Sequence, residues 1–439
     1  MAKSNNAIFA RRRERLMSAM EGGVAVFSGA PETVRSNDVM HRYRQDSDFY
    51  YLTGFTEPGA YLVLDATHPK RRVTLFVQPK DPDKERWTGR RVGVRAARSR
   101  FGADAAYETE RFFDMLPSLL EGHDRVFLRL GYDAKVDQAV IDQVARFRGQ
   151  SRAGNRGPTQ LVDPSPILGE ARLLKSDDEI NELTRAVDIT AQGHRAAMAV
   201  TRPGLYEYEV EAEIECHFRK SGAAGPGYPT ICGSGANATI LHYIENDRRM
   251  RAGELLLIDA GAEYLGYSGD VTRTLPVSGR FSESQRTAYE VVLAAQKAAI
   301  ARVRPGVTFD DVHKAALRSL CKGLIRMGLV SGTVAQAVKS GAYRRFYMHR
   351  TSHWLGLDVH DVGRYHLDGS KHSRPLEPGM VLTVEPGLYI DADPDIPKPY
   401  RNIGIRIEDD VLVTADGARV LSHGVPKEVD EIERAMARA

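Results

Sequence analysis

Four short apolar runs open the chain: VAVFSGA (24–30), AYLVLDA (60–66), RVTLFVQ (72–78) and RVFLRLG (125–131). Each has strand length and is bounded by Gly, Pro or charged residues. Between and after them, RFFDMLPSLLE and DQAVIDQVARFR repeat their apolar residues at helical spacing. Strands mixed with helices predict an α/β domain of about 160 residues. The segment SRAGNRGPTQLVDPSPI is rich in Gly, Ser and Pro and sets a boundary near Pro164 to Glu170, giving domains 1–170 and 171–439.

The second domain opens on a helix start signal. Ser176 and Glu179 form a capping-box pattern, and Ile180, Leu183, Val187 and Ala191 follow at helical spacing, up to an end near Thr201. A second helix, from about Tyr206 to Arg219, precedes GAAGPGYPTICGSGANATILHY, whose glycines predict tight turns and strands close to a site. Ser282 and Gln285 repeat the capping pattern for a helix reaching about Val303.

The acids stand out against this frame. Asp259 follows the buried-looking strand Leu255 to Ile258 in GELLLIDAGAEYLGYSGDVTRT, and Asp270 lies further along the same run. An ionised carboxylate at the end of a core strand is costly unless a cation or hydrogen-bond donor meets it. Glu385 ends a second such run, Met380 to Val384. Glu408 follows Ile403, Ile405 and Ile407 in a register that puts it on the opposite face. Taken singly, each acid reads as an N-cap, a turn residue or a salt-bridge partner. Converging on one site, the four would carry a charge that only cations could hold in a low-dielectric pocket. Two divalent ions would neutralise it, and carboxylates with one imidazole suit manganese, cobalt, iron or zinc.

Internal repeats pair these acids. RPGLYEYEV (202–210) matches RPGVTFDDV (304–312), and RAGELLLIDAG (251–261) matches EPGMVLTVEPG (377–387), which sets Asp259 on Glu385. Each half supplies a strand ending in an acid and X-Gly, then a later acid, Asp270 or Glu408. A duplicated unit whose acids face one another across a pseudo-two-fold axis accounts for the pairing.

Composition narrows the classes. At 439 residues the chain can bury a large core in two domains. Lys plus Arg number 61 against 58 Asp plus Glu, so charge gives no general attraction to nucleic acid or membrane. Arg11, Arg12, Arg13 and Arg15, interrupted by Glu14, read as the solvated face of a first helix, with a nucleic-acid arm as the alternative. Cys216, Cys232 and Cys321 are odd in number and far apart, so neither a disulfide framework nor a zinc knuckle is indicated and a reducing, cytoplasmic setting fits. No run approaches membrane-spanning length, and a soluble, unexported protein is expected.

YMHRTSHWLGLDVHDVG (347–363) carries His349, His353 and His360. Helix and strand both place His349 and His353 on one face, so periodicity leaves the element open. His366, His372 and His423 read as hydrogen-bonded structural residues, and Trp87 as a buried core residue.

The order Asp259, Asp270, His353, Glu385, Glu408, with SHWLGLDVHDVG, VEPGLY and GIRIEDD around the last three, resembles the metal centre of the Xaa-Pro aminopeptidases (aminopeptidase P). These belong to one family with prolidase, creatinase and methionine aminopeptidase. RQDSDFYYLTGF, Arg44 to Phe55, is similar to the N-terminal domain of the aminopeptidase P and prolidase branch, which methionine aminopeptidases lack. The resemblance covers nearly the whole chain. It implies an α/β N-terminal domain and an α+β C-terminal pita-bread (creatinase/aminopeptidase) domain with internal pseudo-two-fold duplication. It further implies that Asp259 binds one of two divalent ions, that His353 and Glu385 bind the other, and that Asp270 and Glu408 bridge them. Manganese is the expected ion, with cobalt, zinc and iron as alternatives.

By the same resemblance Glu385 handles the proton passed to the leaving nitrogen, while His242 and His360 bind substrate and stabilise the tetrahedral intermediate. His349 and Arg406 match positions lining that pocket, and Arg406 could anchor neighbouring carboxylates. Arg350 departs from the small residue expected after His349. For Trp87 the alternative is contact with a neighbouring subunit's active site in a tetramer. The expected activity is hydrolysis between an N-terminal residue and a following proline, by a hydroxide shared between the metals. That bond is a tertiary amide without an N–H, a donor that metal-led attack does not need. Peptides with proline second are the expected partners of a homo-oligomer, dimer or tetramer, with no nucleic acid or membrane. The alternatives are an Xaa-Pro dipeptidase (prolidase) with the same metal set, and a non-catalytic peptide-binding scaffold, which the presence of all five ligands disfavours.

Overall fold

The computed structural model describes residues 6–367, 369 and 372–437. The chain divides into two compact units, Met1–Ala171 and Arg172–Ala439. In the first, the four apolar runs supply strands Val24–Ser28, Tyr61–Asp65, Val73–Val77 and Arg125–Phe127. They join Ala105–Glu108 and Gln160–Val162 in one six-stranded sheet, antiparallel at its centre and parallel at both flanks. The last apolar run keeps only three strand residues, which pair in parallel with Gln160–Val162 and, at Val126 and Phe127, with Val24 and Ala25. Helices Phe112–Leu120 and Ala134–Gly149 bury Phe112, Leu116, Val136 and Val140 in one core with Val26 and Phe76 of the sheet.

Two expectations fail in this unit. Arg12 and Arg13 of helix Asn6–Ala19 are buried rather than solvated, and they donate to the carbonyls of Tyr51, Leu52 and Gly102. The first two carbonyls lie in the last turn of helix Ser47–Thr53, where unpaired acceptors and the helix dipole favour a cation. Trp87 is the converse: it sits on helix Pro82–Thr88, which buries none of its residues, and is 90% exposed.

In the second unit, helix Asp177–Val200 starts at the Ser176/Glu179 capping box and packs on Glu207–Lys220; Glu283–Ile300 starts at Ser282/Gln285 and packs on Phe309–Arg326. Antiparallel strands follow each helix pair. The first set is Ile231–Ser234, Leu255–Ala260 and Val271–Pro276; the second is Val381–Val384, Asp409–Thr414 and Gly417–Val420. The sequence repeats therefore correspond to a repeated helix-helix-sheet order. Their shared X-Gly glycines are required by close approach. A Cβ on Gly261 would lie 1.7 Å from the Gly269 carbonyl oxygen, and one on Gly387 2.6 Å from the Tyr389 hydroxyl. Asp259 lies inside its strand rather than after it, paired with Ile231 and Thr272. No helix among the described residues is long and apolar enough to cross a membrane.

Candidate metal centre and substrate cavity

The first half contributes Asp259 and Asp270 from the hairpin of Leu255–Ala260 and Val271–Pro276. The second contributes Glu385, just beyond Val381–Val384, and Glu408, between strands Ile403–Arg406 and Asp409–Thr414. His353 is extended rather than helical. Its carbonyl accepts from the Thr383 N–H at 2.9 Å, and Trp354 bridges Leu382. Asp270, His353 and Glu408 bring ligand atoms within 4.8 Å of one another. His353 Nε2 lies 3.3 Å from Asp270 and 3.7 Å from Glu385. Its Nδ1 faces the Trp354 carbonyl at 2.9 Å. A carbonyl only accepts, so Nδ1 carries a proton and Nε2 is left to face the acids. Asp259 joins them through Tyr228, whose hydroxyl is 2.6 Å from both Asp259 Oδ1 and Asp270 Oδ1.

Charge is out of balance here. Burial, then Asp270, Glu385 and Asp259, pushes Glu408 well above the usual carboxylate range. Burial lifts Glu385 to about 7, helped by Asp270 and Asp259 and opposed by His353 and Arg406. His353 rises to about 9 although burial opposes its charge, because Asp270 and Glu385 face it. Four carboxylates set against one guanidinium and one imidazole make a site that fits divalent cations. Oxygen donors with a single imidazole nitrogen suit manganese, cobalt, iron or zinc.

The acids lie at a cavity of ≈ 870 Å³, whose lining includes the remaining expected residues, His242, His349, His360 and Arg406. The His360 ring centroid is 4.4 Å from that of His353, and burial followed by the His353 charge lowers its pKa. Burial, then Arg406, lowers His349 to about 3, so it is neutral. His349 Nδ1 donates to the Arg350 carbonyl at 2.7 Å, which leaves Nε2 to accept from the Tyr389 hydroxyl at 2.8 Å. Tyr389 in turn accepts from Arg406 at 3.0 Å, and Arg406 donates to Asp259 Oδ2 at 2.6 Å. A continuous polar chain thus joins Asp259 to His349.

Of the histidines read as structural, His366 lies on the cavity wall, whereas exposed His423 bonds the Val420 carbonyl at 3.2 Å and His372 is exposed. Tyr228, Tyr389, Thr272 and Asp310 were not among the expected residues. The Gly-rich segment marked the neighbourhood of Tyr228 but not its side chain. Thr272, which donates to Glu408 at 2.7 Å, carried no sequence signal at all.

The pattern of Metallopeptidase family M24 matches residues 181–415, and that of the Aminopeptidase P, N-terminal domain matches residues 9–127. The chain is 45% identical to the Xaa-Pro aminopeptidase of Escherichia coli strain K12, over 100% of this chain and 99% of that protein. The structure of aminopeptidase PepP from Pseudomonas aeruginosa superposes with a TM-score of 0.97 at 45% identity, covering 100% of this chain and 99% of that one. A zinc-substituted Escherichia coli aminopeptidase P in complex with product gives 0.95 at 45% identity and the same coverage. These relatives are named as aminopeptidases, which does not favour the dipeptidase alternative. The two matched domains and the full-length identity show that the chain belongs to metallopeptidase family M24, among its Xaa-Pro aminopeptidases.

Proposed function

We propose that this chain releases the first residue of peptides whose second residue is proline, with two divalent cations held by Asp259, Asp270, His353, Glu385 and Glu408. The observation that carries this reading is the convergence of Asp270, His353 and Glu408 to within 4.8 Å beside a cavity, at a site where acids outnumber cations. Asp259 would hold one ion, His353 and Glu385 the other, and Asp270 and Glu408 both. Manganese is the ion we expect. Cations bound there supply a water that ionises near neutral pH and a pull on the scissile carbonyl.

The chain's own residues do the rest. Arg406 fixes Asp259 and, through Tyr389, orients His349. Glu385, made more basic by burial, takes a proton from the attacking water and delivers it to the proline nitrogen as the C–N bond breaks. The products are a free amino acid and a peptide that begins with proline. His242 and His360, on the cavity wall, donate to substrate carbonyl oxygens as negative charge develops there. The substrate's amino end lies against the acids, which limits release to one residue.

Residues 1–170 form, in this reading, a creatinase/prolidase-like domain and 171–439 the catalytic domain of a cytoplasmic dimer or tetramer. The exposure of Trp87 suits contact with a neighbouring subunit's active site. The deciding experiment is mass-spectrometric cleavage of Ala-Pro-Ala and Ala-Pro by metal-stripped protein, with and without manganese. Alanine release mainly from the tripeptide, and only with metal, is expected. Cleavage of the dipeptide alone, or silence on both across several metals, would overturn the reading.

A further inference from the structure

The cavity wall holds one charged pair that the chemistry above does not use. Arg350 and Asp310 both line the cavity and form an ion pair, with side chains 58% and 29% exposed. Asp310 is fixed by its own backbone, which donates to the Ser373 hydroxyl at 2.8 Å in the first turn of helix Phe309–Arg326. Among the described residues, the guanidinium of Arg350 makes only the one bond, from Nη2 to Asp310 Oδ1. A guanidinium carries five N–H donors, so most of this fork is unengaged and open to the cavity and solvent.

The contrast with the other arginine of the cavity is informative. Arg406 is buried, and its donors are committed to Asp259, Thr272 and Tyr389. Among the described residues, Arg350 is therefore the lining arginine with donors to spare, and it stands at the exposed part of the wall while the acids Asp259, Asp270 and Glu408 are buried. A substrate whose amino end meets those acids runs on from them through the cavity, whose lining also includes the apolar Leu241 and Ile244. A planar fork on the exposed part of that wall matches a carboxylate in geometry and charge.

We propose that Arg350 binds the C-terminal carboxylate of short peptide substrates and so sets a preference for short peptides over long ones. This rests on the Xaa-Pro aminopeptidase reading. Asp310 holds the guanidinium in place without occupying its remaining donors. A peptide too long for the contact carries its carboxylate beyond Arg350 and gains nothing from it.

The test uses manganese-loaded protein and a ladder of Ala-Pro-Ala peptides, from tripeptide to hexapeptide, each with a free acid and an amidated C-terminus. The wild-type protein is expected to prefer the acid roughly tenfold in kcat/KM, through KM, at the length that reaches Arg350, and to lose the preference at greater lengths. Arg350→Gln should bring the acid-to-amide ratio at that length close to one. Arg350→Lys should retain part of it, because an ammonium keeps the charge but not the fork. A ratio near one in the wild type at every length, or a preference that persists in Arg350→Gln, would overturn the inference. Failure of the wild type to cleave any peptide with proline second would instead overturn the Xaa-Pro reading, and this inference with it.

Discussion

Glu408 and Asp409 are neighbours in the chain, both buried, yet their surroundings treat them in opposite ways. Asp409 meets Arg273 at 2.8 Å, Lys427 at 2.5 Å, the Gln296 amide at 2.6 Å and the Ser422 hydroxyl at 2.7 Å. Although burial opposes its charge, Arg273 and Lys427 hold it down to about 2. Glu408 faces the site acids, and burial with Asp270, Glu385 and Asp259 drives it the other way. Successive residues of an extended chain point to opposite sides, so one step along the backbone separates a closed ion cluster from an open one. The first neutralises itself and serves the fold. The second keeps an excess of acid, which suits it to hold cations.

The largest effect expected from breaking the open cluster is that of Asp270→Ala. Loss of several kcal/mol of transition-state stabilisation corresponds to a fall in kcat on the order of a thousandfold or more. Metal content, read by elemental mass spectrometry, should fall with it while the N-terminal unit stays folded; full activity would sink the bridging role. His360→Ala should reduce turnover by about a hundredfold with metal retained, the size expected for one lost donor to a developing oxyanion. Unchanged turnover would remove His360 from the reaction.

The closed cluster should respond in stability instead. Asp409→Ala leaves the buried Arg273 and the half-buried Lys427 without their carboxylate and should cost about 3–5 kcal/mol in denaturant unfolding. Glu408→Gln, in the metal-free protein, removes the cost of burying a carboxyl whose pKa burial and the neighbouring acids push well up, and should raise the melting temperature. If the two substitutions shifted stability in the same direction, the distinction between the clusters would fail.

The smallest effect lies in the N-terminal unit, where a closed pair stands alone. Burial opposes the charge of Asp65, but hydrogen bonds from His123 at 3.2 Å and from Thr67 hold it at about 2. A carboxyl whose folded pKa lies below its unfolded value of about 4 stabilises the fold fully above that pH and loses its contribution as pH falls toward 2. His123→Ala should therefore move the acid-unfolding midpoint slightly upward, as followed by circular dichroism of metal-free protein. An unmoved midpoint would show that the pair contributes nothing.

Much of the fold was legible because it rests on local signals. Capping boxes at Ser176 and Ser282 start helices one residue later, and the apolar runs before Asp259 and Glu385 are strands. The five residues proposed to hold metal could be picked out from their order and flanking motifs, and all five line one cavity. Two expectations about burial failed for a shared reason. The density of arginines in the first helix gave no sign that Arg12 and Arg13 would meet the end of helix Ser47–Thr53, and the size of Trp87 gave no sign that its helix buries none of its residues.

The sequence alone therefore determined the element types, the duplication and the identity of the acids, since caps, periodicity and repeats act between residues close in the chain. Tertiary structure decided what each side chain meets. Tyr228 bridges Asp259 and Asp270, Arg406 reaches Asp259 and Tyr389, and Arg350 pairs with Asp310 across the cavity wall, although none of these partners adjoin in the chain. Charge and hydrogen bonding act through space, so the balance that separates Glu408 from Asp409 exists only once strands and helices distant in sequence have packed around them.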